Sequence, residues 1–184
     1  AADTWELSGL LRGQLGTETD MAAELSVGSV FVLLNGAEEQ IDLPMSLRNV
    51  AQYYRVGPAG RSVDDPTYRA QTQAFTGVGL RPYAPAHLRA GPTDAGQQIS
   101  WIRRTRSGGD NCDGSDVPLN EAIEAYEVRI YDDTTLVRTA FVDTPNYLYT
   151  HAQQADDGSL SAPKVAVAQV SDVYGTGVFA EMPL

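Results

Sequence analysis

Apolar residues come along this chain in short bursts separated by Gly, Pro, Asp and Asn, a spacing that predicts short strands and turns. The first segment, residues 5–11, reads as a strand that runs into the turn Arg12-Gly13-Gln14-Leu15-Gly16. Residues 17–25 fit a short helix, with Thr17 or Thr19 as its cap. Residues 30–34 are continuously apolar, Asn35-Gly36 is a strong two-residue turn signal, and residues 38–43 return with Ile41 and Leu43 on one face. This is the pattern of a hairpin. After Pro44, residues 52–56 are a strand ending at Gly57-Pro58-Ala59-Gly60, and residues 67–76 are its partner.

Small and restrictive residues alternate through Gly77-Val78-Gly79-Leu80-Arg81-Pro82 without a strand or helix period, which places a domain boundary there. The expectation is a small β domain with at most one short helix over residues 1–80, followed by a β-sandwich over 81–184. The second half repeats a strand about every ten residues with turn residues between: 86–90, 99–103, 126–130, 136–142, 147–150, 164–171 and 178–182. Ile99 and Trp101 share one side of their strand, with Arg103 nearer the rim, so the indole belongs in the core. Tyr126, Val128 and Ile130 alternate with Glu127 and Arg129, an apolar face against a charged, wet one. Seven such strands suffice for two packed sheets.

The 184 residues can form one large domain or two small ones and bury a usable core either way. The formal net charge of −11 supplies no electrostatic footprint for nucleic acid. No apolar run approaches the roughly 20 residues of a membrane-spanning helix, and the first residues lack a signal-peptide pattern. A start at Ala1 that leads directly into a strand pattern fits a processed product or, better, a fragment of a longer polypeptide. Arg103-Arg104-Thr105-Arg106 concentrates three cations beside a Gly-rich loop, most simply a solvated strand end and otherwise a contact for an anionic partner. The single cysteine, Cys112, has no disulfide partner and reads as an incidental loop thiol.

Chemistry is thinly supplied. His87 and His151 are the only histidines, and neither has a second ligand at a metal spacing. Asp110-Asn111-Cys112-Asp113-Gly114-Ser115-Asp116 is rich in oxygen ligands, but Gly109 stands where a calcium loop needs an acid, so a solvated turn fits better. Asp156-Asp157 before Gly158 has the same reading. The pairs Gly77/Gly79 and Gly175/Gly177 lack the Lys-Ser/Thr of a phosphate cradle. Tyr53, Tyr54, Tyr147, Tyr149 and Tyr174 could stack on sugar rings if exposed, but Tyr147 and Tyr149 share the face that fills a core. The expectation is no catalytic, cofactor-binding or metal-ligating residue, and no enzyme within these residues.

Several long strings occur in a familiar order: residues 80–90 (LRPYAPAHLRA), 99–106 (ISWIRRTR) and Val117-Pro118-Leu119, preceded by residues 6–18 (ELSGLLRGQLGTE), 31–36 (FVLLNG) and 57–61 (GPAGR). In this order they resemble the C-terminal part of the tail-tip, or "host specificity", proteins of gene transfer agents and phage-like particles. Those proteins carry a TIM-barrel, glycosidase-like region upstream that this sequence lacks. The resemblance covers most of the chain. It implies a fibronectin type III-like sandwich at the end, residence in the particle's tail tip after synthesis in the bacterial cytoplasm, and contacts with other tail or baseplate proteins in a symmetric homo-oligomer. Cys112, where the relatives suggest an aromatic residue, and Pro163, where such sandwiches often place a corner tyrosine, depart from it. The rival readings are a module for bacterial surface glycans and an accessory domain of an upstream cell-wall glycosidase. Neither nucleic acid nor membrane insertion is expected.

Overall fold

The computed structural model describes residues 6–18, 21–36, 41–109 and 116–184. Two compact units emerge, residues 23–78 and residues 1–22 together with 79–184.

The larger unit contains the sandwich. Strands β3 (Ala86–Thr93), β4 (Gly96–Ile102) and β7 (Asn146–Thr150) form one antiparallel sheet in the order β3-β4-β7. Strands β5 (Tyr126–Asp132), β6 (Thr135–Val142), β8 (Pro163–Ser171) and β10 (Ala180–Pro183) form the other in the order β10-β8-β5-β6, with the two-residue β9 (Gly175–Thr176) pairing on β8. Counted along the sandwich, the first, second and fifth strands face the fourth, third, sixth and last. That is the strand order of a fibronectin type III-like domain.

Alternation decides which side chains enter the core. Ile99 and Trp101 from β4 and Tyr147 and Tyr149 from β7 meet Tyr126, Val128 and Ile130 from β5 and Val165 and Val167 from β8, all buried. The Trp101 and Tyr126 rings pack edge to face with centroids 5.1 Å apart, at the core position expected of the indole. All seven sandwich strands expected from sequence are present, with ends shifted by a few residues.

The expected wet face of β5 is different. Glu127 is only 6% exposed. Its Oε1 accepts from Arg129 Nε at 2.7 Å and its Oε2 from the Thr176 hydroxyl at 2.9 Å, while the Arg129 guanidinium lies 4.3 Å from the Phe179 ring centre. Opposite these residues β8 presents Ala168 and Ala166, which are also buried. Side chains that small let the chain between β9 and β10 lie on the outer face of the sheet. Gly177 donates its amide to the Gln169 carbonyl of β8 at 2.9 Å and packs under Pro82, whose carbonyl oxygen would lie 2.4 Å from a Cβ at this position.

One helix, α1 (His151–Asp157), joins β7 to β8 and was absent from the sequence expectation. It begins with a capping box, in which Thr150 Oγ1 accepts from Gln153 N at 3.2 Å and Gln153 Oε1 accepts from Thr150 N at 3.0 Å.

In the smaller unit, β1 (Gln52–Val56) and β2 (Arg69–Gln73) pair antiparallel with Tyr54 opposite Gln71. The loop between them is held by Asp65, which accepts from the Thr67 amide and hydroxyl at 2.9 and 2.6 Å, and by Tyr68, whose hydroxyl donates to the Pro58 carbonyl at 3.0 Å. Among the described residues three expected elements are not seen. Residues 21–25 take no helical turn, Thr17 closes the 3-10 turn Gln14–Gly16, Glu18 is itself in a 3-10 conformation, and Thr19 and Asp20 lie outside the described residues. Residues 6–11 make no strand, while residues 1–5 lie outside the described residues. Residues 30–34 and 41–43 make no ladder, and the intervening 37–40 are likewise outside the described residues. Short helices and hairpins are marginal in water without a surface to pack on, and Leu25 and residues 30–34 remain exposed.

Candidate interaction surfaces

The arginine string after β4 is the first place to look for a partner contact, and each cation already has one within the larger unit. Arg103 Nη2 lies 2.6 Å from Asp116 and Nη1 3.0 Å from Glu124, and Nη2 also donates to the Val117 carbonyl at 2.7 Å. Glu124 in turn accepts from the Tyr126 hydroxyl at 2.6 Å. Burial, reinforced by that carboxylate, pushes the Tyr126 phenol far above its ordinary value. Arg104 bridges to Glu18 and lies 5.2 Å from the Tyr83 ring centre. Arg106 pairs with the buried Glu121, donates to the Leu80 carbonyl and lies 5.0 Å from the Tyr174 ring centre.

The solvated reading of this string is therefore corrected. Its arginines tie residues 103–124, the residues around 80 and the segment carrying Glu18 to one end of the sandwich. Beside Arg104, a shallow groove of about 620 Å³ is lined by Ala84, Pro85, Val178 and Phe179 with Glu18 at its wall. Guanidinium groups suit this role because each presents several donors in one plane to carboxylates and carbonyls together.

At the opposite end, Asp157 is also corrected from a solvated turn residue. Its carboxylate takes two hydrogen bonds from Arg138, Nε and Nη2 both at 2.7 Å, and one from the Tyr149 hydroxyl at 2.7 Å. The Arg138 guanidinium holds the Asp157 carboxyl below the usual aspartate range. Burial first, then the Asp157 charge, pushes the Tyr149 phenol up. Tyr147 donates to Gln153 Oε1 at 3.2 Å. Two core tyrosines thus pin α1 at the corner where Pro163, half-buried at the start of β8, offers no hydroxyl.

His87 sits at the irregularity of β3 with φ of 52° and is exposed, as is His151 at the start of α1. Among the described residues no three of His, Cys, Asp and Glu gather closely enough to hold a metal ion. Cys112 and the rest of the loop from Asp110 to Ser115 lie outside the described residues. Of the tyrosines considered for stacking on sugars, Tyr147 and Tyr149 are core residues, Tyr54 packs edge-on to Phe75 at 6.2 Å, and Tyr53 is 86% exposed.

No family model and no curated protein matches this sequence. Among solved structures it is similar to the rat CD45 extracellular region, domains d3-d4, at 12% identity over 99% of this chain and 86% of that chain, with a TM-score of 0.40. The sandwich assignment rests on this chain's own strand order.

Sequence reasoning missed the most accessible surface of all. No described residue of 23–78 is buried, and the apolar residues there are largely exposed, among them Val27, residues 30–34, Ile41, Met45, Val56 and Val63. Exposed apolar side chains mark contact surfaces in folded proteins where they gather into one patch. The available signal was the unbroken apolar run at 30–34, read as a hairpin strand instead.

Proposed function

We propose that this chain is a structural and interaction component of a phage-like or gene transfer agent tail tip or baseplate, joining neighbouring subunits and presenting the tip to the recipient cell. The observation that carries the reading is the order of long strings, from residues 6–18 through 99–106 to 117–119, resembling the C-terminal part of tail-tip proteins. The exposed apolar surface of residues 23–78 agrees with a module that works by contact. The charge of −11 suits partners with basic contact faces.

The test is electron microscopy of particles labelled with an antibody raised against residues 79–184. Gold at the tail tip in a symmetric arrangement is the expected result. Particles that carry no tail-associated label would overturn it, and binding of the isolated chain to a bacterial glycan array would then favour the surface-glycan reading.

A further inference from the structure

Within the larger unit, the 3-10 turn Gln14–Gly16 and the two residues after it lie against Tyr83 and Arg104. The turn is closed locally, because the Thr17 amide and hydroxyl both donate to the Gln14 carbonyl, at 3.3 and 2.8 Å. Gly16 meets the Tyr83 ring so closely that a Cβ at this position would run into it. Two residues on, the Glu18 carboxylate pairs with Arg104. The same guanidinium lies 5.2 Å from the centre of the Tyr83 ring and donates to the Ala84 carbonyl at 3.4 Å. Tyr83 and Arg104 thus read two features of the segment together, a glycine and a carboxylate two residues later. The hold is light. The side chains of Arg104 and Glu18 are 35% and 33% exposed, a setting in which ion pairs contribute little, and Glu18 Oε2 is buried with no partner among the described residues.

We propose that Tyr83 and Arg104 form a recognition seat for a Gly-x-Glu peptide segment, and that Gly16-Thr17-Glu18 is a releasable latch occupying this seat in cis. The resident segment defines the ligand class: an acidic peptide with a glycine two residues before its carboxylate. The groove beside Arg104, floored by Ala84, Pro85, Val178 and Phe179, stays open with the latch in place. A partner segment that continues past its carboxylate therefore gains apolar surface beyond the seat. Arg104 is the one cation among the described residues lining this groove, and Glu181, also on its wall, already pairs with Lys164 at 3.0 Å. A carboxylate entering here is thus directed to Arg104. Because the latch is tethered, it holds the seat against a weak partner and yields to one that also covers the groove. This inference does not depend on the tail-tip reading.

The experiment is nuclear magnetic resonance on the isotopically labelled full chain. The Tyr83 ring current should displace the Gly16 Hα signals from their random-coil positions, and Arg104→Gln should return them most of the way while the Trp101 indole signal, in the core, stays where it is. The double variant Gly16→Ala/Glu18→Ala frees the seat without adding charge. An unlabelled peptide of residues 11–18, LRGQLGTE, titrated into that variant should shift the Tyr83 and Arg104 signals, and should bind the native chain more weakly because its seat is taken. Peptides carrying Gly16→Ala or Glu18→Gln should each bind about fivefold more weakly or worse. Gly16 signals at random-coil positions in the native chain, signals indifferent to Arg104→Gln, or a freed seat that binds all three peptides alike or none of them would each overturn the proposal.

Discussion

Asp157 shows how much one side chain does in this molecule. Its carboxylate joins β6, through Arg138, to β7, through Tyr149, at the end of α1. Removing one member of such a pair leaves the other desolvated. Asp157→Asn is expected to cost about 2–3 kcal/mol, below the value for a fully enclosed pair because Arg138 reaches water. Urea unfolding at neutral pH measures it. The same group sets a pH dependence. With its folded pKa held below the ordinary value, the unfolded chain binds the proton first as pH falls. The stabilisation is therefore complete above about pH 4 and lost as pH falls through the folded value. Asp132 acts in the same direction, lowered by the Ala162 amide and the Ser161 hydroxyl. Unfolding free energy should fall on acidification in the native chain and fall less steeply in Asp157→Asn; parallel slopes would show that this carboxylate is not responsible.

Turns and caps hold the elements at defined places. Gly96 begins β4 at φ of 144°, and a Cβ there would lie 2.3 Å from the Tyr149 carbonyl oxygen. Gly96→Ala should therefore lower stability by roughly 1–3 kcal/mol or more, whereas Thr150→Ala, which removes only the cap of α1, should cost about 1 kcal/mol. Thermal unfolding of the two variants ranks them, and an equal effect would contradict the clash at Gly96. At this scale the sandwich was legible in sequence. Strands such as Tyr126-Glu127-Val128-Arg129-Ile130 alternate clearly because one face is buried. What escaped is long-range. Nothing local pairs Arg104 with Glu18, 86 residues away, or Glu127 with Thr176, 49 away, so charged residues read as solvated prove to be ion-paired or enclosed. The helix α1 was hidden by its seven-residue length, too short for a period to show. Residues 21–25 and 30–34 carry good local signals but are all exposed, and local propensity alone does not sustain either element.

Across the whole molecule, stability is unevenly distributed. Every residue of the hydrophobic core lies in the sandwich unit, between Ala84 and Ala168, and the described residues of 23–78 contribute none. Opening a segment with few buried apolar groups costs little free energy, so exchange and cleavage there do not wait for global unfolding. Trypsin provides a direct comparison because the arginines are divided between the two regimes. Arg48, Arg55, Arg61 and Arg69 lie in the coreless unit, where Arg55 and Arg61 pair with Asp64 and Asp65, whereas Arg103, Arg106, Arg129 and Arg138 are held in ion pairs on the sandwich with its buried core. In dilute solution the first four sites should be cut well before the second four, leaving a sandwich fragment that unfolds at nearly the temperature of the intact chain. Uniform cleavage of all eight would mean that residues 23–78 share the stability of the sandwich.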